Sequence, residues 1–496
     1  QDGVVADYPH TEPSRGGSQG AMQTLFLLST LLALRGAAAL GLSQDPPIVG
    51  AAAHTDELPP GAIERKQRQV MYNFQDVQYF AYLTIGGQPI AGIMDTGSFD
   101  LVVFDQACDA CGKAGKYSSK QSLSYKAGML KQSLAYGSGS VEVYESTDQV
   151  AIGPYGEVNL TFWDGMDAVM PVLRHAAFNA IVGVGPPETP AADAWASVED
   201  AVLTLRDALG KLPLFPDSGK LEVLDTQTDL ATVLGTRPTL VKADDVAHFS
   251  ICLGQKPGSV GYFIWNDTSY LDTPSLFTFI KVLGRHTWTV NMTSLQLDRR
   301  GRHSEVLACK TGCGAIVDSG TSLVLMPYPA IDVLRKALEN MAVDCDNIHT
   351  LPKLTFKLDG KELSLPPDAY ITRAPESSDD GAASSFQAER VRLDIGGGDC
   401  ELAVQGSRSS TAWGPLWILG MPFFRSYYSS FQMGKSHDER ALFVAPASED
   451  CTPAGQEGGL AREAGYEQEL RRVNRSAIFI PRIVHRARTE PFLGNL

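Results

Sequence analysis

The sequence predicts a mostly β protein in which two similar loops, far apart in the chain, face each other. Apolar and polar residues alternate in runs bounded by Gly, Pro or Asp, as in 141–144 and 354–358, a pattern typical of strands joined by turns. One short phrase occurs twice, as IMDTGS at 93–98 and as IVDSGT at 316–321. With 496 residues, the chain is long enough for two or more domains with substantial cores.

The duplicated phrase predicts a pair of carboxyl groups. The apolar residues before each Asp indicate a buried strand, and the Gly after it indicates a tight turn, so Asp95 and Asp318 lie at strand ends among hydroxyl and backbone donors. Two adjacent carboxylates do not both ionise readily and therefore share one proton. The charged member can take a proton from water while the other donates to a carbonyl oxygen, which is general acid–base amide hydrolysis. A single such phrase would mark an ordinary turn, but two in matching contexts favour chemistry.

Four further segments support a family resemblance. Residues 78–86 resemble an opening strand, and 134–140, with Tyr followed by Gly, resemble a flap hairpin that closes over substrate. An apolar-apolar-Gly segment follows each Asp, at 181–183 and at 418–420. From about Tyr72 to Ala447, the chain resembles the pepsin-like aspartic proteases of the two-lobed eukaryotic type. The resemblance implies a mostly β, bilobal fold with the active-site cleft between two pseudo-symmetric lobes.

The resemblance also implies roles for individual residues. Asp95 and Asp318 match the catalytic pair. The implied support residues are Thr96 and Ser319, which cross-link the two loops, Ser98 and Thr321, which bond the outer carboxylate oxygens, and Gly97 and Gly320. The implied flap and substrate-binding residues are Tyr136, Gly137 and Ser138. Simple turn capping would use the same hydroxyl residues, and orienting a carboxylate is itself a capping function.

The chain departs from the family pattern at two positions. Val102 stands where relatives usually have a Trp that can hydrogen-bond the flap Tyr, and Met421 stands where they commonly have another Asp. We therefore expect a flap that rests differently when the cleft is empty, and a mildly acidic pH optimum. Neither departure affects the residues assigned to the chemistry.

The eight cysteines favour a secreted protein. The resemblance implies the disulfides Cys108–Cys111, Cys309–Cys313 and Cys345–Cys400, and leaves Cys252 and Cys451 without an assigned partner. A Cys-x-x-Cys pair is also compatible with a redox or zinc half-site. However, no second pair lies at zinc-finger spacing and no thioredoxin-like βαβ pattern surrounds this one, so we expect neither a metal nor a cofactor.

The ends of the chain are expected to lie outside the two lobes. The ten-residue apolar run at 25–34 precedes Arg-Gly and three alanines, which predicts a signal peptide and is too short to span a bilayer. If residues 1–21 belong to the natural protein, this run would be an internal signal or anchor. The predicted divisions are 1–21 as upstream non-native sequence before Met22, 22–39 as signal peptide, 40–70 as linker or inhibitory prosegment, 71–245 as N-terminal catalytic lobe, 246–448 as C-terminal catalytic lobe, and 449–496 as a tail outside the fold.

The charge and the composition of the chain indicate which classes of binding partner to expect. The net charge of −15 and the pI near 5.1 disfavour nucleic acid, because phosphate binding requires a basic surface. Four Asn-x-Ser/Thr sequons, beginning at Asn159, Asn266, Asn291 and Asn474, are compatible with glycosylation on a secretory route. We expect a monomer without a stable membrane anchor, which acts on protein or peptide substrates and is secreted or held in an acidic vacuole or lysosome-like compartment.

The predicted function is that of an aspartic endopeptidase. The main alternative is a secreted, non-catalytic binding protein with a pepsin-like fold, and the presence of both Asp residues with their four hydroxyl partners argues against it. A third hypothesis, a redox protein, would require Cys108 and Cys111 to be reactive.

Overall fold

The structure is a computed structural model that describes residues 67–186, 232, 235–298, 306–339, 348, 350–373, 400–411, 413–455 and 470–480. The predicted signal peptide and most of the predicted linker or prosegment lie outside the described residues. In the part of the chain that is described, most residues belong to strands in large mixed sheets. The mostly β, bilobal fold expected from the sequence is confirmed.

The first half of the described chain forms eleven strands. Their alternation of buried and exposed side chains is clearest in the long hairpin strands, where one face packs on the core and the other meets solvent. The strands are β1 (Arg68–Phe74), β2 (Gln78–Ile85), β3 (Gln88–Asp95), β4 (Leu101–Phe104), β5 (Lys126–Tyr136), β6 (Gly139–Ile152), β7 (Val158–Val169), β8 (Ala180–Gly183), β9 (His248–Cys252), β10 (Gly261–Trp265) and β11 (Thr278–Lys281).

The second half contributes thirteen more strands. They are β12 (Thr289–Asp298), β13 (Val306–Ala308), β14 (Cys313–Val317), β15 (Val324–Pro327), β16 (Lys353–Leu358), β17 (Lys361–Leu365), β18 (Ile371–Arg373), β19 (Cys400–Leu402), β20 (Val404–Ser407), β21 (Ser410–Thr411), β22 (Gly414–Leu419), β23 (Tyr427–Gln432) and β24 (Ala441–Pro446).

Two large sheets organise these strands. The first has thirteen strands in the order β11-β24-β23-β9-β10-β1-β2-β3-β8-β4-β7-β6-β5. The second has nine and runs β17-β16-β12-β14-β22-β15-β20, with β13 beside β12 and β21 beside β22. Strands β18 and β19 form a separate pair. In both sheets the strand that leads to an Asp loop has a neighbouring strand on each side, so each loop follows a buried strand.

Helices are few and short among the described residues. The α-helices are α1 (Leu240–Ala243), α2 (Ser269–Asp272), α3 (Tyr328–Glu339) and α4 (Met421–Ser426). The 3₁₀ helices are Asp109–Ala114, Ser119–Gln121, Pro171–His175, Pro274–Leu276, Pro367–Ala369, His437–Glu439 and Arg475–Ala477. Only α3 exceeds two turns, and its buried face of Ala330, Ile331, Leu334 and Leu338 packs into the core of the second lobe. None of the described helices has the length and apolar character that a membrane crossing needs.

The carboxy-terminal region differs from its expected place outside the fold. Cys451 is bonded to Cys252 on β9, which joins the two cysteines that had no assigned partner. Residues 470–480 also pack onto the lobes: Phe479 is fully buried and Ala477 equally so. Their apolar side chains provide the reason, because they belong to the same buried clusters as residues of both lobes.

Candidate active site

Each Asp of the duplicated phrase lies at the end of a central strand. Asp95 is the last residue of β3, which runs parallel to β8 with Asp95 opposite Gly183. Asp318 follows β14, which runs parallel to β22 with Val317 opposite Leu419. The apolar-apolar-Gly segments therefore lie directly beside the two Asp loops as bracing strands. The backbone N–H of Val184 donates to the Asp95 carbonyl, and that of Asp318 donates to the Leu419 carbonyl.

The two carboxyl groups are held by matching hydrogen bonds. In the first loop, the Gly97 N–H donates to Asp95 Oδ1 at 2.9 Å and the Ser98 hydroxyl donates to Oδ2. In the second, the Gly320 N–H donates to Asp318 Oδ1 at 2.9 Å and the Thr321 hydroxyl donates to Oδ2 at 2.5 Å. Each carboxyl therefore has one backbone donor and one hydroxyl donor at equivalent positions.

A reciprocal cross-link joins the loops beneath the carboxyl groups. Thr96 Oγ1 donates to the Val317 carbonyl at 3.1 Å and accepts the Ser319 N–H at 2.9 Å. Ser319 Oγ donates to the Met94 carbonyl at 2.5 Å and accepts the Thr96 N–H at 3.2 Å. Both side chains are buried, so these four bonds fix the spacing of the two loops.

The glycines of the loops allow the carboxyl groups to approach each other. A Cβ placed on Gly97 would meet the Asp318 carboxyl at 2.9 Å, and one placed on Gly320 would collide with the Asp95 carboxyl. Each Gly therefore lies against the Asp of the opposite loop. Any larger residue at either position would separate the pair.

The electrostatics of the pair follow from this arrangement. Both carboxyl groups are fully buried. Burial and the negative charge of Asp318 raise the pKa of Asp95 well above its usual range. Burial also raises the pKa of Asp318, although hydrogen bonds from Thr321 and Gly320 oppose that shift. Because a carboxylate beside a second buried carboxylate is costly, the two groups hold one proton between them and titrate as a unit.

The hairpin of β5 and β6 carries the three residues expected in the flap at its tip. Tyr136 and Gly139 form the last pair of the ladder, with Gly137 and Ser138 between them. Tyr136 is buried against the first lobe and against Phe479, whose ring centroid lies 6.2 Å from its own. The main chain of Ser138 donates to the Ile480 carbonyl at 3.1 Å. Phe479 and Ile480 therefore lie against the tip of this hairpin, a position that the sequence did not predict.

The two departures from the family pattern occupy structural positions. Val102 is a fully buried residue of β4, which pairs with β7 and β8 beside the first loop. Met421 begins α4, and its N–H donates to the Thr321 carbonyl at 2.8 Å. The second loop thus keeps a backbone brace where the acidic side chain is missing.

The cysteines form structural links. The predicted disulfides Cys108–Cys111 and Cys309–Cys313 are present, and the complete burial of Cys111 does not favour the redox hypothesis. Cys400 is disulfide-bonded, whereas its predicted partner Cys345 lies outside the described residues. The Cys252–Cys451 bond was missed, although two leftover cysteines in a disulfide-rich chain are a signal for pairing. No cluster of three or more His, Cys, Asp or Glu able to hold a metal occurs in the described ranges.

Two buried aspartates on duplicated, cross-linked loops in a bilobal β fold define the architecture of an aspartic protease. Comparison with known proteins agrees. The family described as "Eukaryotic aspartyl protease" matches residues 78–208 and 239–441. The chain belongs to this family.

Several curated relatives are pepsins. The chain is 30% identical to "Pepsin A" of Canis lupus familiaris over 376 residues, which cover 73% of this chain and 80% of that protein. It is 28% identical to "Pepsin A" of Rhinolophus ferrumequinum over 381 residues, 74% of this chain and 82% of that protein. It is also 28% identical to "Pepsin-3" of Oryctolagus cuniculus over 388 residues, 76% and 84% of the two chains.

Proposed function

We propose that this protein is an aspartic endopeptidase that hydrolyses peptide bonds with a water held between Asp95 and Asp318. The single observation that carries the proposal is the buried pair with its complete set of hydroxyl and backbone donors. A binding protein without catalysis has no need to keep both carboxyl groups, both outer hydroxyls and the reciprocal cross-link.

The chemistry follows from the shared proton. The ionised carboxyl takes a proton from the water as it attacks the scissile carbonyl, and the protonated carboxyl donates a hydrogen bond to the carbonyl oxygen. The proton then passes to the leaving amine, so the pair returns to its starting state without a covalent intermediate. Ser98 and Thr321 keep the outer oxygens oriented, while Thr96 and Ser319 hold the loops at the working distance. Positioning of this kind lowers the barrier because the entropic cost is met during folding.

The flap is proposed to close over an extended substrate. Tyr136 would cover the bound side chains and Ser138 would bind the peptide backbone, while Gly137 leaves room for the substrate to approach the hairpin tip. The substrates are therefore proteins or peptides in extended conformation. The single-chain site needs no second subunit, which supports action as a monomer.

The remaining assignments stay proposals. The disulfides support a secretory route and an oxidising compartment, and the raised pKa of the pair supports work at acidic pH. We retain residues 22–39 as signal peptide, and 71–245 and 246–448 as the two catalytic lobes. Residues 40–70 are retained as linker or prosegment.

A peptide-library cleavage profile from about pH 3 to pH 8 tests the function. We expect cleavage with a bell-shaped pH dependence, because the rate falls at low pH when both carboxyls are protonated and at high pH when both are ionised. Since burial and the Asp318 charge raise the pKa of Asp95, the optimum should be mildly acidic. The matched control is Asp95→Asn, which keeps the shape and removes the titrating group. Cleavage by Asp95→Asn at the wild-type rate would contradict the proposal, and peptide binding without cleavage by any form would favour the non-catalytic alternative.

A further inference from the structure

The carboxy-terminal segment 470–480 is attached to the lobes before it reaches the cleft. Arg471 is almost completely buried, and its guanidinium lies 3.0 Å from the Asp368 carboxylate and 3.5 Å from that of Asp76. The Arg471 carbonyl accepts hydrogen bonds from the Thr372 hydroxyl at 2.5 Å and the Arg373 N–H at 3.0 Å. A buried arginine with two carboxylates and a saturated carbonyl is a specific attachment, since an unpaired buried charge would be very costly.

A second ion pair holds the segment further along the chain, between Arg471 and the residues near the Asp loops. The Arg475 guanidinium lies 2.9 Å from the buried Glu401 carboxylate. The following 3₁₀ turn is capped by the Asn474 side chain, which accepts the Ser476 N–H at 3.0 Å. The Gln78 side-chain amide then donates to the Ala477 carbonyl at 2.8 Å. From Ala477 onwards, the lobes bind the backbone of the segment at residues 477, 479 and 480.

Residues 479 and 480 are bound through their backbone by opposite walls. The Phe479 N–H donates to Ser322 Oγ at 2.9 Å, and its carbonyl accepts the Ser322 N–H at 3.1 Å. The Ile480 N–H donates to Ser138 Oγ at 2.8 Å, and its carbonyl accepts the Ser138 N–H at 3.1 Å. In an extended strand, successive residues point their backbone groups to opposite edges. The second Asp loop therefore binds one edge of this strand and the flap binds the other.

These four hydrogen bonds do not depend on the side chains of the bound strand. Recognition of an extended peptide by its main chain, with pockets for alternate side chains, is how strand addition works in general. Ser322 directly follows Thr321, the residue that donates to Asp318. The segment therefore contacts the second Asp loop itself rather than a distant surface.

The side chains of the segment fill apolar pockets. Phe479 is fully buried, and its ring centroid lies 5.5 Å from that of Phe178 and 6.2 Å from that of Tyr136. Ile480 packs against the flap so closely that a Cβ on Gly137 would meet its Cγ2 at 2.5 Å. Ile478 is buried with apolar residues of the second lobe, including Ile316 and Leu325. A large apolar group is thus accommodated at three successive positions, 478, 479 and 480.

We propose that residues 470–480 are an intramolecular peptide inhibitor that occupies the substrate cleft, and that the segment must leave before the protein can act. The proposal rests on the function proposed above. The same contacts define the substrate class as extended peptides with an aromatic side chain in the Tyr136–Phe178 pocket followed by an aliphatic one. Because the segment is covalently attached, its effective concentration at the cleft is in the millimolar range, so even weak intrinsic binding blocks the site.

The first test is Phe479→Ala in the full chain. It should empty the aromatic pocket and raise kcat/KM on a peptide substrate at least tenfold over wild type. The matched control is Phe279→Ala, because Phe279 is half exposed on β11, and it should leave the rate unchanged. Equal kcat/KM for wild type and Phe479→Ala, with measurable activity in both, would overturn the inference.

A binding measurement separates this inference from the proposed function. In the Asp95→Asn background, a fluorescein-labelled peptide with the sequence of residues 474–482 should bind to Phe479→Ala at least tenfold more tightly than to the otherwise unchanged chain. If the peptide shows this difference in binding but neither wild type nor Phe479→Ala hydrolyses any substrate, the proposed endopeptidase function is wrong. The inference that residues 470–480 occupy the cleft is then still supported. If the peptide binds both chains equally, the occupancy fails whatever the activity.

A second variant guards against misfolding of the first. Arg471→Ala removes the buried attachment, whereas Arg472→Ala alters an exposed neighbour on the same segment. We expect Arg471→Ala to raise kcat/KM and labelled-peptide binding in the same direction as Phe479→Ala, and Arg472→Ala to raise neither. Identical behaviour of the two arginine variants would count against the proposal.

Discussion

The two aspartate loops have the same internal hydrogen bonds but different residues at the next position. Each loop gives its carboxyl one backbone and one hydroxyl donor, and each sends a hydroxyl side chain into the other. The residue after the outer hydroxyl is Phe99 in the first loop and Ser322 in the second. Phe99 is buried, whereas Ser322 makes two hydrogen bonds with the backbone of Phe479.

This difference between the loops corresponds to two proposed tasks of the site, proton transfer and peptide binding. The proposed chemistry requires equal carboxyl groups and therefore preserves the symmetry of the loops. Binding of a peptide strand requires donors and acceptors on two different edges, and these come from Ser322 and from the flap residue Ser138. In the proposed function, the symmetric part of the site would hold the shared proton, and the asymmetric part would bind the peptide backbone.

The largest expected effect comes from breaking the symmetric part. Asp95→Asn and Asp318→Asn should each lower kcat/KM by several orders of magnitude, because either change removes the shared proton. The double variant should be little worse than either single variant, since residues that act as one unit are not additive. Rates are best compared in the Phe479→Ala background, where we expect an open cleft. Additive losses in the double variant would show that the carboxyl groups work independently.

The sequence predicted those parts of the site that consist of side chains, and it did not predict those that consist of backbone groups. The carboxyl pair and its hydroxyl partners were predictable because side chains of fixed type stand within three residues of each other, and the chemistry tolerates few alternatives. The segments at 181–183 and 418–420 were recognised through the family resemblance, and the structure shows their apolar residues in fully buried strands. The overall fold followed from strand patterns and from the duplication.

The peptide-like segment could not be predicted in the same way. Phe479 and Ile480 are bound mainly through their backbone, and backbone groups leave no signature in the sequence. The sequence offers one signal, the apolar triplet at 478–480, and its Arg-rich surroundings predict a tail outside the fold. The Cys252–Cys451 bond spans 199 residues, so the only sequence signal for it was that both cysteines had no other assigned partner.

An intermediate effect is expected from the cross-link between the loops. Thr96→Val and Ser319→Ala each remove a hydroxyl that donates to one backbone group and accepts from another in a buried place. Leaving those groups unpaired should cost about 2 to 4 kcal/mol of unfolding free energy for each variant. The measurement is urea denaturation, with kcat followed in parallel. Because the two bonds are reciprocal, the losses should be similar, and an unchanged unfolding free energy in one variant would show that the loops are not equally dependent on the cross-link.

The smallest expected effect concerns the strands behind the two loops. Asp164 on β7 lies opposite Val103 on β4, and Gln405 on β20 lies opposite Leu325 on β15. Both are buried, and in each an oxygen (Oδ1 of Asp164, Oε1 of Gln405) has no hydrogen-bond partner in the described part of the chain. The first lobe therefore has a buried ionisable group beside β4, whereas the buried polar group beside β15 in the second lobe is a neutral amide one register position away.

Asp164→Asn should remove the pH response of the buried carboxyl behind the first loop. Burial, with a smaller contribution from the charge of Asp105, raises the pKa of Asp164 to about 8 from its ordinary value of 3.8. A carboxyl with a raised folded-state pKa contributes stability that is complete below the unfolded pKa and is lost as pH rises towards the folded one. Between about pH 5 and pH 7, the unfolding free energy of the wild type should fall by about 1 to 2 kcal/mol, and that of Asp164→Asn should not. The upper limit for one group over two pH units is roughly 3 kcal/mol, because each unit contributes at most about 1.4 kcal/mol. The matched control is Asp167→Asn, an exposed residue on the same strand, and urea unfolding at both pH values measures all three proteins. We assign this pH dependence to the buried carboxyl behind the first loop. Equal stability of the wild type at both pH values would contradict the assignment, and so would an Asp167→Asn variant that behaves like Asp164→Asn.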